Sequence, residues 1–136
     1  MEQSSEEILQ EPAKKYLRLG DLECYRVSFA LSNQVWELVG KWPGMAQRTV
    51  GEQFIRAMDS VSANIAEGFG RYGKKDKIRH YRIAYGSLYE CLDWNEKAKV
   101  RGLLSPEAYQ HLFAQLQQLP RLINWLISYT NEKLKK

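Results

Sequence analysis

Residues 52–71 read EQFIRAMDSVSANIAEGFGR, and this stretch decides the fold. Phe54, Ala57, Val61 and Ile65 recur at the three- and four-residue spacing of one helical face, with Ile55, Met58 and Ser62 beside them. Ala57, Ser60, Ser62, Ala63 and Ala66 are small, so a neighbouring helix can approach closely. The helix is expected to stop at Gly68, with Gly70 and Gly73 beyond. Thr49 with Glu52 three residues on predicts a capping box and a helix start after Thr49.

Upstream, Asp21 offers an N-cap. Leu22, Tyr25, Phe29, Trp36 and Val39 follow at helical spacing, and Lys41-Trp42-Pro43-Gly44 stops the helix. A second stripe, Leu31, Val35, Leu38 and Trp42, predicts burial on two sides. Downstream, Ile78, Tyr81, Tyr85, Leu88, Leu92 and Asn95 predict a helix from Lys74 or Lys75 to about Arg101, ended by Gly102. Gly86 in its interior predicts close packing on another backbone. Ser105-Pro106-Glu107 is a helix-start signature for a last helix carrying Tyr109, Leu112, Leu116, Leu119, Ile123 and Leu126, kinked or split by Pro120. No segment alternates with period two. The fold class is all-α, an antiparallel up-down four-helix bundle over residues 21–136, with residues 1–20 a poorly ordered tail.

The chain has 136 residues, enough for one domain, and its 44% hydrophobic and 26% charged residues are ordinary globular usage. No apolar run approaches the ~20 residues that span a bilayer. The acidic start, with Glu2, Glu6 and Glu7, lacks a signal-peptide pattern. A cytoplasmic protein without a membrane partner is expected. Cys24 and Cys91 read as buried fillers.

The net charge is +4, while residues 1–20 carry a net −1. The excess gathers in Arg71, Lys74, Lys75, Lys77, Arg79 and Arg82, six cations within twelve residues opposed by Asp76 alone. Such a window is a candidate contact for the phosphates of RNA or another nucleic acid, with Tyr72 available to stack on bases. Its plain alternative is a solvated helix start. Catalytic patterns fail on spacing. His80 and His111 lack the Glu-x-x-His of di-iron bundles, the Arg-x(4–6)-His of helical ribonucleases is absent, and the glycines at 68, 70 and 73 follow a helix rather than a strand. No metal site and no cofactor is implied, and His80 reads as a surface residue of the basic window.

The order Gln53, Arg56, Ala57, Ser60, Val61, Asn64, Ile65, Ala66, Glu67, Gly68, followed by Ile83, Ala84, Gly86, Ser87, Leu88 and Glu90, resembles the 23S rRNA intervening-sequence family, also called the S23 ribosomal-protein family. Ile55 departs from it, since Arg is usual there. The resemblance spans about residues 20–130. It implies an up-down four-helix bundle that assembles into rings, commonly pentamers. The accessory protein of diversity-generating retroelements, a basic pentamer that binds a reverse transcriptase and nucleic acid, is a more distant resemblance. The family name does not by itself imply a ribosomal role.

Within the motif, Asn64 and Glu67 are expected on the inward face. A polar network of Arg56, Ser60, Asn64, Glu67, Ser87 and Glu90 is expected to fix helix register and oligomer state. Trp36, Trp42 and Trp125 exceed what one narrow core can hold, so subunit contacts are expected to cover some of them. The function these readings support is a non-enzymatic, oligomeric interaction or adaptor protein, a homo-oligomer with RNA or another protein as further partner. The alternatives are an enzyme whose site forms between subunits from Arg56, Glu67 and Glu90, and a protein-only interaction module.

Overall fold

The computed structural model describes residues 17–136. Most of the expected tail, residues 1–16, lies outside the described residues. Its last part is ordered differently from that expectation: Leu17 and Leu19 pack against the core, and Leu19–Asp21 forms a 3-10 turn.

Four antiparallel rods follow, and no strand occurs among the described residues. They are α1 (Glu23–Val39), α2 (Glu52–Gly70), α3 (Lys74–Val100), and a fourth rod broken into α4 (Pro106–Leu116) and α5 (Leu119–Lys133). The all-α four-helix architecture read from the sequence is the one observed. The core is one apolar cluster drawn from all rods, with Phe54, Met58, Val61, Ile65, Tyr81, Leu88, Leu116 and Ile123 sealed from solvent. Cys24 and Cys91 are buried, and burial pushes the Cys24 thiol up to about 11 and the Cys91 thiol further in the same direction.

Two helix starts differ from expectation. Asp21 does not cap α1; its carboxylate instead accepts from the Arg18 backbone N–H at 2.9 Å, closing the turn before the helix. Thr49 does not begin α2. Helical backbone starts at Gly44, just after Pro43, and passes through a π-helical stretch, Gln47–Gly51, into α2. The Thr49 hydroxyl donates to the Met45 carbonyl at 2.8 Å, and Glu52 pairs with Arg56. The early start is useful. Gln47 Nε2 donates to the Val39 and Gly40 carbonyls at 3.2 and 3.0 Å, closing the end of α1. Gly51 lets α2 press on α1, because a Cβ there would lie 2.6 Å from Val39 Cγ1.

α2 runs through Gly68, its expected stop, to Gly70, and three further ends match their signals. Gly102 takes φ +74°, and the Gly102 and Leu103 amides donate to the Lys99 and Ala98 carbonyls, a Schellman closure of α3. Ser105 Oγ accepts from Ala108 N–H at 3.0 Å at the start of α4. Pro120 splits the fourth rod as expected, at residues 117–118.

α2 and α3 make the most extensive contact in the bundle. A Cβ at Gly68 would lie 2.7 Å from a Tyr81 ring carbon and 2.9 Å from the Lys77 carbonyl oxygen. Gly86, the residue expected to serve close approach, faces open space, and a Cβ there meets nothing within 4 Å. The two glycines therefore predict opposite outcomes. Gly68→Ala should lower unfolding free energy by about 1–3 kcal/mol through overpacking. Gly86→Ala should raise it by about 0.5–1 kcal/mol through helix propensity. Urea denaturation of both variants checks the pair, and equal effects would show that the contact is misplaced.

Candidate functional site

The α2–α3 seam carries a chain of polar side chains. Ser60 and Ser87 share a hydroxyl hydrogen bond of 2.9 Å across the seam. Asn64 Nδ2 donates to the Ser60 carbonyl at 2.9 Å and to Ser60 Oγ at 3.0 Å. That leaves Asn64 Oδ1 facing His80 Nδ1 at 3.3 Å, while His80 Nε2 meets Arg79 Nη2 at 3.1 Å. Asn64 Oδ1 can only accept and Arg79 can only donate. The contacts are satisfied together by neutral His80 with its proton on Nδ1.

Ser60, Asn64 and Ser87 are thus brought together, and the sequence reading missed His80 and Arg79 as members. His80 is only 8% exposed and is not the surface residue expected from its charged neighbours. Its spacing held a signal: seven residues, two helical turns, separate it from Ser87 on the same face. Three expected members stand apart. Arg56 pairs with Glu52, Glu67 pairs with Arg71 at 2.6 Å, and Glu90 accepts from Trp94 Nε1 at 3.1 Å. Each uses its own helix, one turn away. Arg56, Glu67 and Glu90 are exposed and Asn64 is half-buried, so the network follows the outer seam rather than the inward face.

The basic window divides by what each side chain touches. Lys77 Nζ donates to the Phe69 carbonyl at 2.7 Å, lies 3.5 Å from that of Gly68 and sits over the Phe69 ring. It closes the C-terminal end of α2, where unpaired carbonyls and the helix dipole favour a cation. Burial holds its ammonium below the ordinary lysine range. Lys74 Nζ donates to the Asn131 carbonyl at 3.2 Å in the last turn of α5. Arg71 bridges Glu67 and Asp76, and Arg79 also pairs with Asp76. The Arg79 hydrogen bond, with the Arg71 charge beside it, holds the Asp76 carboxyl below the usual carboxylate range. Lys75 and Arg82 make no hydrogen bond or ion pair among the described residues. They are exposed on α3 with Arg79 between them, at i, i+4 and i+7. Tyr72, 95% exposed, stands just before the helix.

Among the described residues, no group of three or more His, Cys, Asp and Glu is placed to hold a metal ion. No helix there is long and apolar enough to cross a membrane.

Two measurements test these assignments. Lys77→Gln should cost about 1–2 kcal/mol of stability, whereas Lys75→Gln should change it by less than ~0.5 kcal/mol. Asn64→Leu should cost about 1–3 kcal/mol by stripping His80 of its acceptor, and adding His80→Leu should recover part of that loss. Additive losses in the double variant would show that the two side chains are not coupled.

The chain has no match among curated proteins. Its fold is shared with a solved structure from Bacteroides thetaiotaomicron, a protein of unknown function from the S23 ribosomal protein family. The two superpose with a TM-score of 0.71 at 20% identity, over 77% of this chain and 95% of that one. The family model of the 23S rRNA-intervening sequence protein matches residues 20–125, a span that holds both halves of the α2–α3 polar seam and the whole basic window. On that match the chain belongs to the 23S rRNA-intervening sequence protein family.

Proposed function

We propose that this protein is a non-enzymatic interaction protein that assembles with copies of itself and holds RNA or another nucleic acid along the outer face of α3. The observation that carries self-assembly is the set of large aromatics left outside the core. Trp36 is 63% exposed and Trp125 54%, and Phe29 is half outside as well, while Trp42 fills the interior place. Covering such surface is worth about 25 cal/mol per Å² of apolar area. A ring of five copies is the stoichiometry that the family resemblance suggests. A stable monomer in sedimentation at micromolar concentration would remove the assembly part.

The nucleic-acid part is supported by Lys75, Arg79 and Arg82 in one row on α3, and by the exposed ring of Tyr72 just before that helix. Lys75 and Arg82 are the unpaired cations of the row, with Arg79 held by Asp76 between them, and unpaired cations attract phosphates, while a planar ring stacks on bases of any sequence. The row is shorter than the six cations of the sequence window, because Lys74 and Lys77 are engaged by helix-end carbonyls and Arg71 is paired with Glu67 and Asp76. Assembly would repeat the row on every copy, so weak contacts would add through multivalency.

The test is a fluorescence-anisotropy titration with single-stranded RNA at two salt concentrations. The wild type should bind more weakly at higher salt. Lys75→Gln with Arg82→Gln should flatten the slope of log affinity against log salt by about 1.4, two phosphates at ~0.7 each on a single strand. Thermal stability should hardly move. Absence of RNA binding at low salt would leave the protein-only interaction module as the reading.

A further inference from the structure

Two apolar grooves flank α1 at one end of the bundle. The first lies between the end of α1 and the start of α2. It has a volume of about 500 Å³ and is lined by Trp36, Gly40 and Ile55, with Arg48, Glu52 and Arg56 at its rim. Glu52 is spent on Arg56, which leaves the Arg48 guanidinium without a hydrogen bond or ion pair among the described residues. The second lies between α1 and the start of α4. It holds about 420 Å³ and is lined by Leu38, Ala108 and Leu112, with Glu37 and Glu107 at its rim. Neither carboxylate has a hydrogen bond or ion pair among the described residues. His111 at that rim is bonded to Gln34.

The two grooves match each other in chemistry. One offers a protruding indole and an unspent cation, and the other offers a shallow apolar floor and two unspent anions. They also match in height. Trp36 and Leu38 are two residues apart, so they project about 200° apart around α1 but only ~3 Å apart along it. A parallel copy placed with its Trp36 groove against the Leu38 groove of another therefore sits beside it at nearly the same level.

We propose that these grooves are the two halves of one contact between copies of this chain, joined head to tail. The indole of Trp36 covers Leu38, Ala108 and Leu112 of the next copy, and Arg48 meets the carboxylates of Glu37 and Glu107. The inference rests on the self-assembly reading above and specifies its surface. Since the two halves differ, the contact is heterologous. Because they lie level on two flanks of the same helix, successive copies docked with parallel axes turn about a common axis instead of climbing. Opposite charge at the two rims sets the direction of docking and disfavours pairing of like grooves.

The experiment uses sedimentation velocity on the full chain and two variants, Trp36→Glu and the pair Glu37→Arg with Glu107→Arg. Trp36, Glu37 and Glu107 are all exposed, and circular dichroism checks that each variant stays folded. Each variant alone should fall to monomer at concentrations where the wild type assembles, with apparent Kd raised at least tenfold. An equimolar mixture of the two should form a one-to-one dimer, since each retains the groove that the other has lost. Wild-type-like assembly by either variant would overturn the proposal while leaving self-assembly standing. So would monomeric variants that fail to combine, which would point to a like-with-like contact. A monomeric wild type would remove self-assembly itself, and this contact with it.

Discussion

The bundle depends on the close crossing of α2 and α3 at Gly68. Three residues, 71–73, connect the two helices, so α3 must start beside the end of α2. The Tyr81 ring fills the space where any other residue at 68 would carry a Cβ. With the backbones this near, Lys77 reaches back to the last carbonyls of α2. The same approach lets short side chains meet further along the seam, serine with serine and asparagine with histidine. A slip of one helical turn is ~5.4 Å, more than any of these hydrogen bonds could stretch. The seam therefore has one register, and the core residues of α2 and α3 are aligned by it.

The seam also explains where the polar groups sit. A fully buried network must satisfy every donor and acceptor or lose more than it gains. At a half-buried seam the penalty for an imperfect bond is small, because water reaches its edge. Ser60, Asn64 and Ser87 lie at that depth, and only His80 is deeper, with both ring nitrogens engaged. The fully buried Asn95 shows the contrast. Its Nδ2 makes a long 3.4 Å bond to the Tyr109 carbonyl, and its Oδ1 finds no partner among the described residues. Register is specified where polar contacts are cheap, and the interior is left to apolar packing.

Helical periodicity made most of this architecture legible, since 3.6-residue spacing is a property of single segments. The stripes of α1 to α5, the break at Pro120 and the Ser105 and Gly102 signals all belong to that class. Features created by the meeting of segments were harder to read. Thr49 and Glu52 have the spacing of a capping box, but α1 needs Gln47 in helical backbone to close its own end, and that start overrides the local signal. Gly86 looks like a packing glycine because propensity cannot tell a crowded side from an open one. His80 was hidden by the cations around it, although its spacing from Ser87 placed both on one face. Arg56, Glu67 and Glu90 have partners one turn away on their own helices, so membership of one motif did not bring them into one site.

Charge in the sequence is likewise not charge at the surface. The start of α3 lies beside two helix C-terminal ends, those of α2 and α5, whose carbonyls carry partial negative charge. Those ends draw in Lys77 and Lys74, and Asp76 draws in Arg71 and Arg79. The densest cationic stretch of the chain is thus in large part the mortar of its own fold. Lys75 and Arg82 escape because neither bonds a helix-end carbonyl or a carboxylate among the described residues. By the same logic Arg48, Glu37 and Glu107 stand unspent beside exposed apolar groups, whereas Glu52 and Arg56 at the same rim as Arg48 are paired with each other. Pairing within the chain takes part of its charge out of play, and the placement of the groups that remain, not their number, gives the surface its direction.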